Sequence, residues 1–370
     1  MVANMGKYIH EKIGWTEMKY DASVLLDTLV RFYQVHGRLH GKLDALGVDI
    51  QNDLILSAVS DEVVDSSEIE GETLNRSSVR SSVAKRLGIE TAGITDTPAN
   101  HYTEGVVEMV LNTTQQYSEK ITDERLFGWH AALFPTGRSG IRSITVGSYR
   151  TNEMSIVSGA IGREKVHYIA PEPIRVPGEM KAFLEWLEGN RESDPYVKAG
   201  IAHFWFESIH PFDDGNGRIG RAIADSLLAR ADGSPMRYYS LSSQFLKERV
   251  AYYNELEAAQ AYGGQIERWI IWFIGCLTRA VEASEEKLEK AKDKALFFDL
   301  FRSTTLNKRQ ISVLNRLVDG FEGKLTTAKW AKLCKCSHDT ALRDIDDLID
   351  KGVLQRSTGG GRSTSYLLVI

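Results

Sequence analysis

Apolar residues recur along most of the chain at a spacing near 3.6, the period of a helix with one buried face. Over residues 22–46 the stripe is Leu25, Leu29, Phe32, Tyr33, Leu39 and Leu43. Over 50–69 it continues as Leu54, Ala58, Val59 and Val63. Residues 196–208 carry Val197, Ile201, Phe204, Trp205 and Ser208 on one face, and 219–230 carry Ile219, Ile223 and Leu227. The pattern changes once in the interior. Residues 147–173 are rich in Gly, Tyr and β-branched side chains. Within them 155–158 and 166–169 are predicted as strands, with 159–165 as the loop of a hairpin. A Gly-, Thr- and Pro-bearing stretch, 88–98, is a predicted connection.

Beyond a charged helical run at 284–294 the chain changes character. Helices are predicted at 307–317, at 326–333 with Thr326 or Thr327 as N-cap, and from Ser337 to a stop at Gly352. Val353-Leu354 and Tyr366-Leu367-Leu368-Val369 then flank a loop holding Gly359, Gly360 and Gly361. Three helices and a hairpin resemble a winged helix-turn-helix. The expected fold class is therefore mostly α: an N-terminal helical domain at 1–95, a helical core with an inserted hairpin at 96–295, and the winged-helix module at 305–370.

Composition narrows the class of protein. The 370 residues are 42% apolar and 26% charged, as in a globular chain. A net charge of −5 excludes a polybasic nucleic-acid coat but not a local basic patch. The three cysteines, Cys276, Cys334 and Cys336, make no disulfide framework and suit a reducing compartment. The first residues have no apolar segment of signal-peptide length, and the longest apolar run, 269–277, is far short of the ~20 residues that span a bilayer. The expectation is a cytoplasmic protein not embedded in a membrane.

The chemistry concentrates in His210-Pro211-Phe212-Asp213-Asp214-Gly215-Asn216-Gly217-Arg218-Ile219-Gly220-Arg221. This cluster fills a turn between two predicted helices and ends on the N-terminus of the second. A helix start preceded by glycines offers free N–H groups and a positive dipole end to an anion such as phosphate. Gly215 and Gly217 leave room for its close approach. Arg218 and Arg221, three apart on the first turn, can both face it. Asp214 is a hard oxygen ligand suited to Mg²⁺ on phosphates. His210 is the one group here whose ordinary pKa lies near neutrality, and so the natural general base. Gly215-x-Gly217-x-x-Gly220 also satisfies the dinucleotide-binding glycine pattern, but a helix and not a strand precedes it.

The cluster matches the HxFx[DE]GNGRxxR signature at every defined position and so resembles the Fic family of protein adenylyltransferases. The resemblance implies transfer of AMP from ATP, with Mg²⁺, to a protein hydroxyl. His210 takes the proton of a target Ser, Thr or Tyr, and Asp214 holds the metal. Gly215, Asn216 and Gly217 form the anion hole, Arg218 and Arg221 hold the distal phosphates, and Phe212 anchors the loop. Upstream, Ser66-Ser67-Glu68-Ile69-Glu70-Gly71 fits the family's [ST]xxxE[GN] inhibitory pattern. Glu70 is then expected to pair bidentately with Arg221 and deny that arginine to the γ-phosphate, with Ser66 as the other marker of the motif. The bland alternative for Glu70 is a solvated surface charge. Relatives with such a Glu can also remove AMP, so the reverse reaction is the alternative activity.

The hairpin sits where the family has its flap. Val166 and His167 are the candidates there to register a target segment by strand addition, or else the hairpin merely covers the core. Tyr253 and Gln260, in Tyr252-Tyr253-Asn254-Glu255-Leu256-Glu257-Ala258-Ala259-Gln260, resemble the lining of the adenine pocket, where core packing is the plainer role. The first ~95 residues resemble an N-terminal helical domain of a bacterial subgroup. A homodimer is the usual assembly for such enzymes.

Residues 305–370 hold 11 Lys and Arg against 7 Asp and Glu, a net of +4, which leaves −9 for the remainder. A basic module on an acidic chain suggests DNA, with Lys335, Arg343, Arg356 and Arg362 as phosphate contacts. Asp339, Asp344, Asp346, Asp347 and Asp350 on the same helix oppose this unless they face away, and docking to protein is the other use of such a module. A nucleotide-sensing DNA-binding regulator is thus the second functional reading. Cys334-x-Cys336-x-His338 lacks the second ligand pair that a zinc site needs, so Cys334 is expected to pack in its helix.

Overall fold

The computed structural model describes residues 6–89, 98–159, 163–189, 194–318, 320–321, 323–357 and 364–369. It divides into two compact units, Met1–Ser284 and Glu285–Ile370.

In the first unit α1 (Leu26–Asp44) and α2 (Val48–Ile69) follow the predicted stripes. Phe32, Val35, Leu39 and Leu43 are the buried face of α1. Three helices follow: α3 (Arg76–Leu87), α4 (His101–Gln115) and α5 (Asp123–Leu133). The apolar stripe does not announce α3, because Ser and Arg dominate it; it buries Val79 and Val83, one turn apart, with Ser78, Ser82 and Ala84. Asn75 caps its start by accepting from Ser78 N, and Gly88 ends it with φ 67°. The middle of the predicted 88–98 connection lies outside the described residues.

A two-residue hairpin, β1 (Arg138–Ser139) with β2 (Arg142–Ser143), is too short for sequence alternation to reveal. The expected hairpin is β3 (Ser155–Ser158) paired antiparallel with β4 (Lys165–Ile169), with a bulge between Ile156 and Val157. Lys165, placed by the sequence reading in the loop, pairs with Ser158 instead. Then come α6 (Val176–Glu188), α7 (Pro195–Ile209), α8 (Asn216–Asp232), α9 (Leu241–Lys247), α10 (Arg249–Gln260) and α11 (Ile266–Leu300). The helix after the polar cluster starts at Asn216 and not Ile219, so Asn216, Gly217 and Arg218 form its first turn. Phe204, Ile209, Phe212, Ile219 and Ile223 are wholly buried where α7 and α8 pack together.

Helix α2 is fastened from the side by buried polar contacts. The Glu62 carboxylate accepts from Ser240 Oγ (2.7 Å), from Ser242 N (3.0 Å) and from Ser242 Oγ, all at the start of α9. A carboxylate at a helix N-terminus is favoured both by the free N–H groups and by the dipole. The end of α2, which carries Glu70, is thereby held.

The second unit contains α12 (Lys308–Val318), α13 (Thr327–Cys334), α14 (His338–Asp350) and an antiparallel pair, β5 (Leu354–Arg356) with β6 (Tyr366–Leu368). Thr326 is the N-cap of α13 and Ser337 that of α14. Val313, Leu314, Trp330, Ala341, Ile345 and Leu348 make its core. The glycine run 359–361 and Arg362 lie outside the described residues.

Candidate functional site

The polar cluster opens where α7 stops. His210 is its C-cap, with φ 52° and ψ 60°, a left-handed conformation that a residue with a Cβ adopts at some cost. Arg150 holds it there. Its buried guanidinium donates from Nε to His210 O (2.8 Å), from Nη1 to Asn152 O (2.8 Å) and from Nη2 to Pro171 O (2.6 Å), and Arg150 N donates to Pro211 O (2.8 Å). Each carbonyl left unpaired by losing this side chain would cost about 1–3 kcal/mol. Arg150 is therefore a positioning residue of the turn. No local sequence pattern marks it, because its partners are main-chain oxygens scattered over 60 residues.

His210 itself is 18% exposed at the side chain. Its Nδ1 lies 3.3 Å from Glu207 O, so that nitrogen carries the proton and Nε2 the lone pair. Burial is the largest influence on it, and the nearby Arg150 charge acts the same way, so its pKa falls to about 4 despite the bond to Glu207 O. The ring is neutral at pH 7. Glu207 lies one turn earlier with Oε2 3.7 Å from His210 Nδ1 and Oε1 without a partner. Burial and then the Glu70 charge push its carboxyl up to about 8, so it is protonated at neutral pH.

Below the turn, Phe212 is fully buried and stacks on His130 at 4.4 Å, the anchoring role expected of it. Gly147 N donates to His130 Nδ1 (3.2 Å), which leaves His130 Nε2 to donate to Asp214 O (3.1 Å). This links the base of the long hairpin to the Asp214 loop. The Asn216 side chain turns inward: Oδ1 accepts from Phe212 N and Nδ2 donates to Phe212 O, both 2.9 Å. It staples the loop shut, so only its backbone remains for an anion. Gly215, with φ 81°, is the N-cap of α8.

The arginines stand behind this helix start. Arg221 is 2% exposed. Its Nε donates to Ser66 Oγ (2.9 Å), and its Nη2 donates to Ser66 O (2.9 Å) and to Glu70 Oε1 (2.8 Å). The expected bidentate pairing is thus corrected: Ser66 takes one side of the guanidinium fork and Glu70 makes a single contact. Glu70 also lies on the helix start itself, since a Cβ on Gly217 would fall 2.2 Å from Glu70 Oε1. The carboxylate thus lies against the first turn of α8. Arg218 is equally buried, bonded to Tyr102 OH and lying over the Phe134 ring. Arg221 Nη1 and Arg218 Nε are buried donors without a partner. Asp214, 41% exposed at the side chain, accepts from Ser139 Oγ and from Gly215 N (2.5 Å). An exposed carboxylate beside an anion-attracting helix start is a suitable donor for Mg²⁺, which keeps most of its waters and takes few protein ligands.

These groups open on a pocket of about 860 Å³ walled by Glu70, His210, Gly215–Gly217, β3, β4 and α10. Of the expected base-binding residues, Tyr253 is on the wall and 40% exposed, with the Arg249 guanidinium 5.8 Å from its ring centre. Gln260 also lines it but is nearly buried, donating to Ser208 Oγ (3.3 Å). On the hairpin, His167 faces the pocket while Val166 lies outside its lining, 40% exposed. His167 Nδ1 is 2.7 Å from Glu257 Oε2, a link between hairpin and α10 that the sequence did not suggest.

Residues 120–228 match the Fic/DOC family, and residues 8–89 match a domain of unknown function, DUF4172. The protein adenylyltransferase Fic of Nematostella vectensis is 25% identical over 231 residues, 62% of this chain and 49% of that protein. The Aedes aegypti protein of the same name is 24% identical over 252 residues, 66% and 46% of the two chains. The chain thus spans about half the length of these relatives. Among solved structures, a Fic family protein from Desulfovibrio desulfuricans G20 superposes with a TM-score of 0.55 at 20% identity, covering 95% of this chain and 98% of that one. A Fic domain containing signaling protein from Bacteroides thetaiotaomicron gives 0.52 at 20% identity, covering 71% and 97%. Residues 120–228 are thus similar to the Fic/DOC family, and the chain shares its fold with solved Fic proteins.

Proposed function

We propose that this protein transfers AMP from ATP to a Ser, Thr or Tyr hydroxyl of a protein, itself included, and that Glu70 restrains the reaction. The observation that carries this is the meeting, on one pocket, of a neutral His210 with the glycine-flanked start of α8 and Asp214, with two partnerless arginine donors buried behind that helix start. We assign residues 1–95 to an inhibitory helical domain, 96–295 to the catalytic core and 305–370 to a winged helix, in a cytoplasmic protein.

In the reaction His210 Nε2 takes the hydroxyl proton. The freed oxygen forms a bond to the α-phosphorus as the bond to the β-phosphate oxygen breaks, and pyrophosphate leaves. The backbone at Gly215, Asn216 and Gly217 receives phosphate oxygens, and Arg218 and Arg221 hold the distal phosphates. Tyr253 and Gln260 border the base. Asp214 would hold Mg²⁺, which supplies neutralisation of phosphate charge. His167 and Val166 present the hairpin to a target segment. Label should pass to protein from ATP labelled at the α-phosphate and not from ATP labelled at the γ-phosphate; the opposite distribution would make the protein a kinase and sink the reading.

A second activity is favoured by one arrangement in the C-terminal unit. Asp344 is turned inward and bonded twice to Arg309 (2.7 and 2.9 Å), and Asp347 bonds Gln310 and Lys351. Two of the five carboxylates that oppose DNA are thus engaged within the module, while Lys335 and Arg343 stay exposed, as do Asp339 and Asp350. Duplex DNA is the ligand proposed for this module. Retardation of duplex fragments should weaken steeply with salt, and none at low salt would remove the proposal.

A further inference from the structure

Two histidines that the reaction does not use converge on an aspartate at the far end of α8, about 25 Å along its 17 residues from the nucleotide loop. His36 and His40, one turn apart, lie on the same face of α1. His36 Nε2 is 3.2 Å from His40 Nε2 and 3.1 Å from Asp232 Oδ1. All three donor atoms fall within 4.8 Å of one another. Two imidazoles and a carboxylate around Zn²⁺, at metal–ligand distances near 2.0–2.1 Å, place neighbouring donors about 3.3 Å apart. The two spacings from His36 are those of a tetrahedral edge.

Proton bookkeeping favours the same reading. A ring Nε2 carries either a hydrogen or a lone pair. His36 Nε2 cannot accept from His40 while donating to Asp232, and one hydrogen cannot fully serve both. A cation satisfies both nitrogens and the carboxylate together. The surroundings prepare the group for it. Tyr196 OH donates to Asp232 Oδ1 (2.8 Å), and Arg237 Nη1 and Tyr239 OH donate to Oδ2 (3.3 and 3.2 Å), the outer contacts that orient a ligating carboxylate. Asp232 is also the last residue of α8, where the helix dipole favours positive charge. Phe32, Tyr196 and Tyr239 pack around the His36 ring, and Tyr238 lies against His40.

We propose that His36, His40 and Asp232 bind a divalent transition-metal ion of the zinc class, fastening α1 to the C-terminal end of α8. No acidic residue lies between the two histidines, where the base of a helical zinc hydrolase would stand, and three protein donors leave the fourth position to water. The site ties the N-terminal helices to the helix whose other end receives phosphate.

The test uses the untagged full-length chain, stripped with chelator and reloaded with Zn²⁺ or Co²⁺, beside His36→Gln and His40→Gln. The wild type should retain an ion that both variants lose, melt at a higher temperature once reloaded, and give tetrahedral Co²⁺ absorption without thiolate charge-transfer bands. Metal content equal in all three proteins overturns the proposal, as does thiolate absorption, which would place the ion at Cys334 and Cys336. The cobalt spectrum of the wild type keeps the test decisive even if a variant folds poorly.

Discussion

Replacing Glu70 by Gly should raise auto-adenylylation from α-labelled ATP by on the order of 50-fold. Arg221 Nη2 is 2.8 Å from Glu70 Oε1, with the arginine buried and the carboxylate on the pocket wall. A charge-assisted hydrogen bond of this kind is worth about 1.5–3 kcal/mol, and each 1.4 kcal/mol is a factor of ten. The carboxylate also sits against Gly217, so a phosphate arriving at the start of α8 meets a like charge as well as an occupied arginine. Glycine removes both obstacles. The fold should tolerate it, because Glu70 is the C-cap of α2 and the helix is held through Glu62 instead. Glu70→Gln, which keeps the shape and removes the charge, should fall between wild type and Glu70→Gly. If this carboxylate also orients water for removal of AMP, Glu70→Gly should lose that reverse activity on an already modified protein. A folded Glu70→Gly protein no more active than wild type would show that the contact restrains nothing.

The sequence made some of this arrangement legible and hid the rest for definite reasons. The loop from His210 to Arg221 is contiguous, so its residue types and spacing alone suggest a base, an anion site and a metal ligand. Helices with a clean apolar stripe, such as α1 and α2, were also visible. What was hidden depends on contacts between distant segments. Ser66 and Glu70 were recognisable as a motif, but the division of the Arg221 fork between them is set by how α2 crosses α8. Asn216 looked like part of the anion site because its neighbours are glycines; only the closed turn shows its amide facing inward. Arg150, His130 and Glu257 act through main-chain or single side-chain contacts across 60 to 90 residues, and no local pattern marks such residues. His36 and His40 have metal-ligand spacing, yet their third partner is nearly 200 residues away.

His210→Ala should lower transfer by on the order of 1,000-fold in a Glu70→Gly background, in line with the usual worth of a positioned general base. Alanine at φ 52° is strained, so His210→Asn is the better control: asparagine tolerates the left-handed conformation and keeps a polar side chain without a comparable base. Both should bind ATP and neither should transfer. The pH profile distinguishes a base from a mere positioning residue. The neutral imidazole is the active form, so rate is lost as pH falls through the pKa of His210 in the folded protein. That value, about 4, lies well below the ordinary 6.5. The acid limb of kcat/KM for ATP, which reports the free enzyme, should therefore lie well below pH 6. Bound triphosphate adds negative charge near the ring and favours the imidazolium, so the limb of kcat should sit at higher pH than that of kcat/KM. Transfer that persists in both His210 variants would remove this histidine from the reaction. An acid limb of kcat/KM near 6.5 would mean the titrating group is an ordinary exposed imidazole and not the buried ring that Arg150 holds in place.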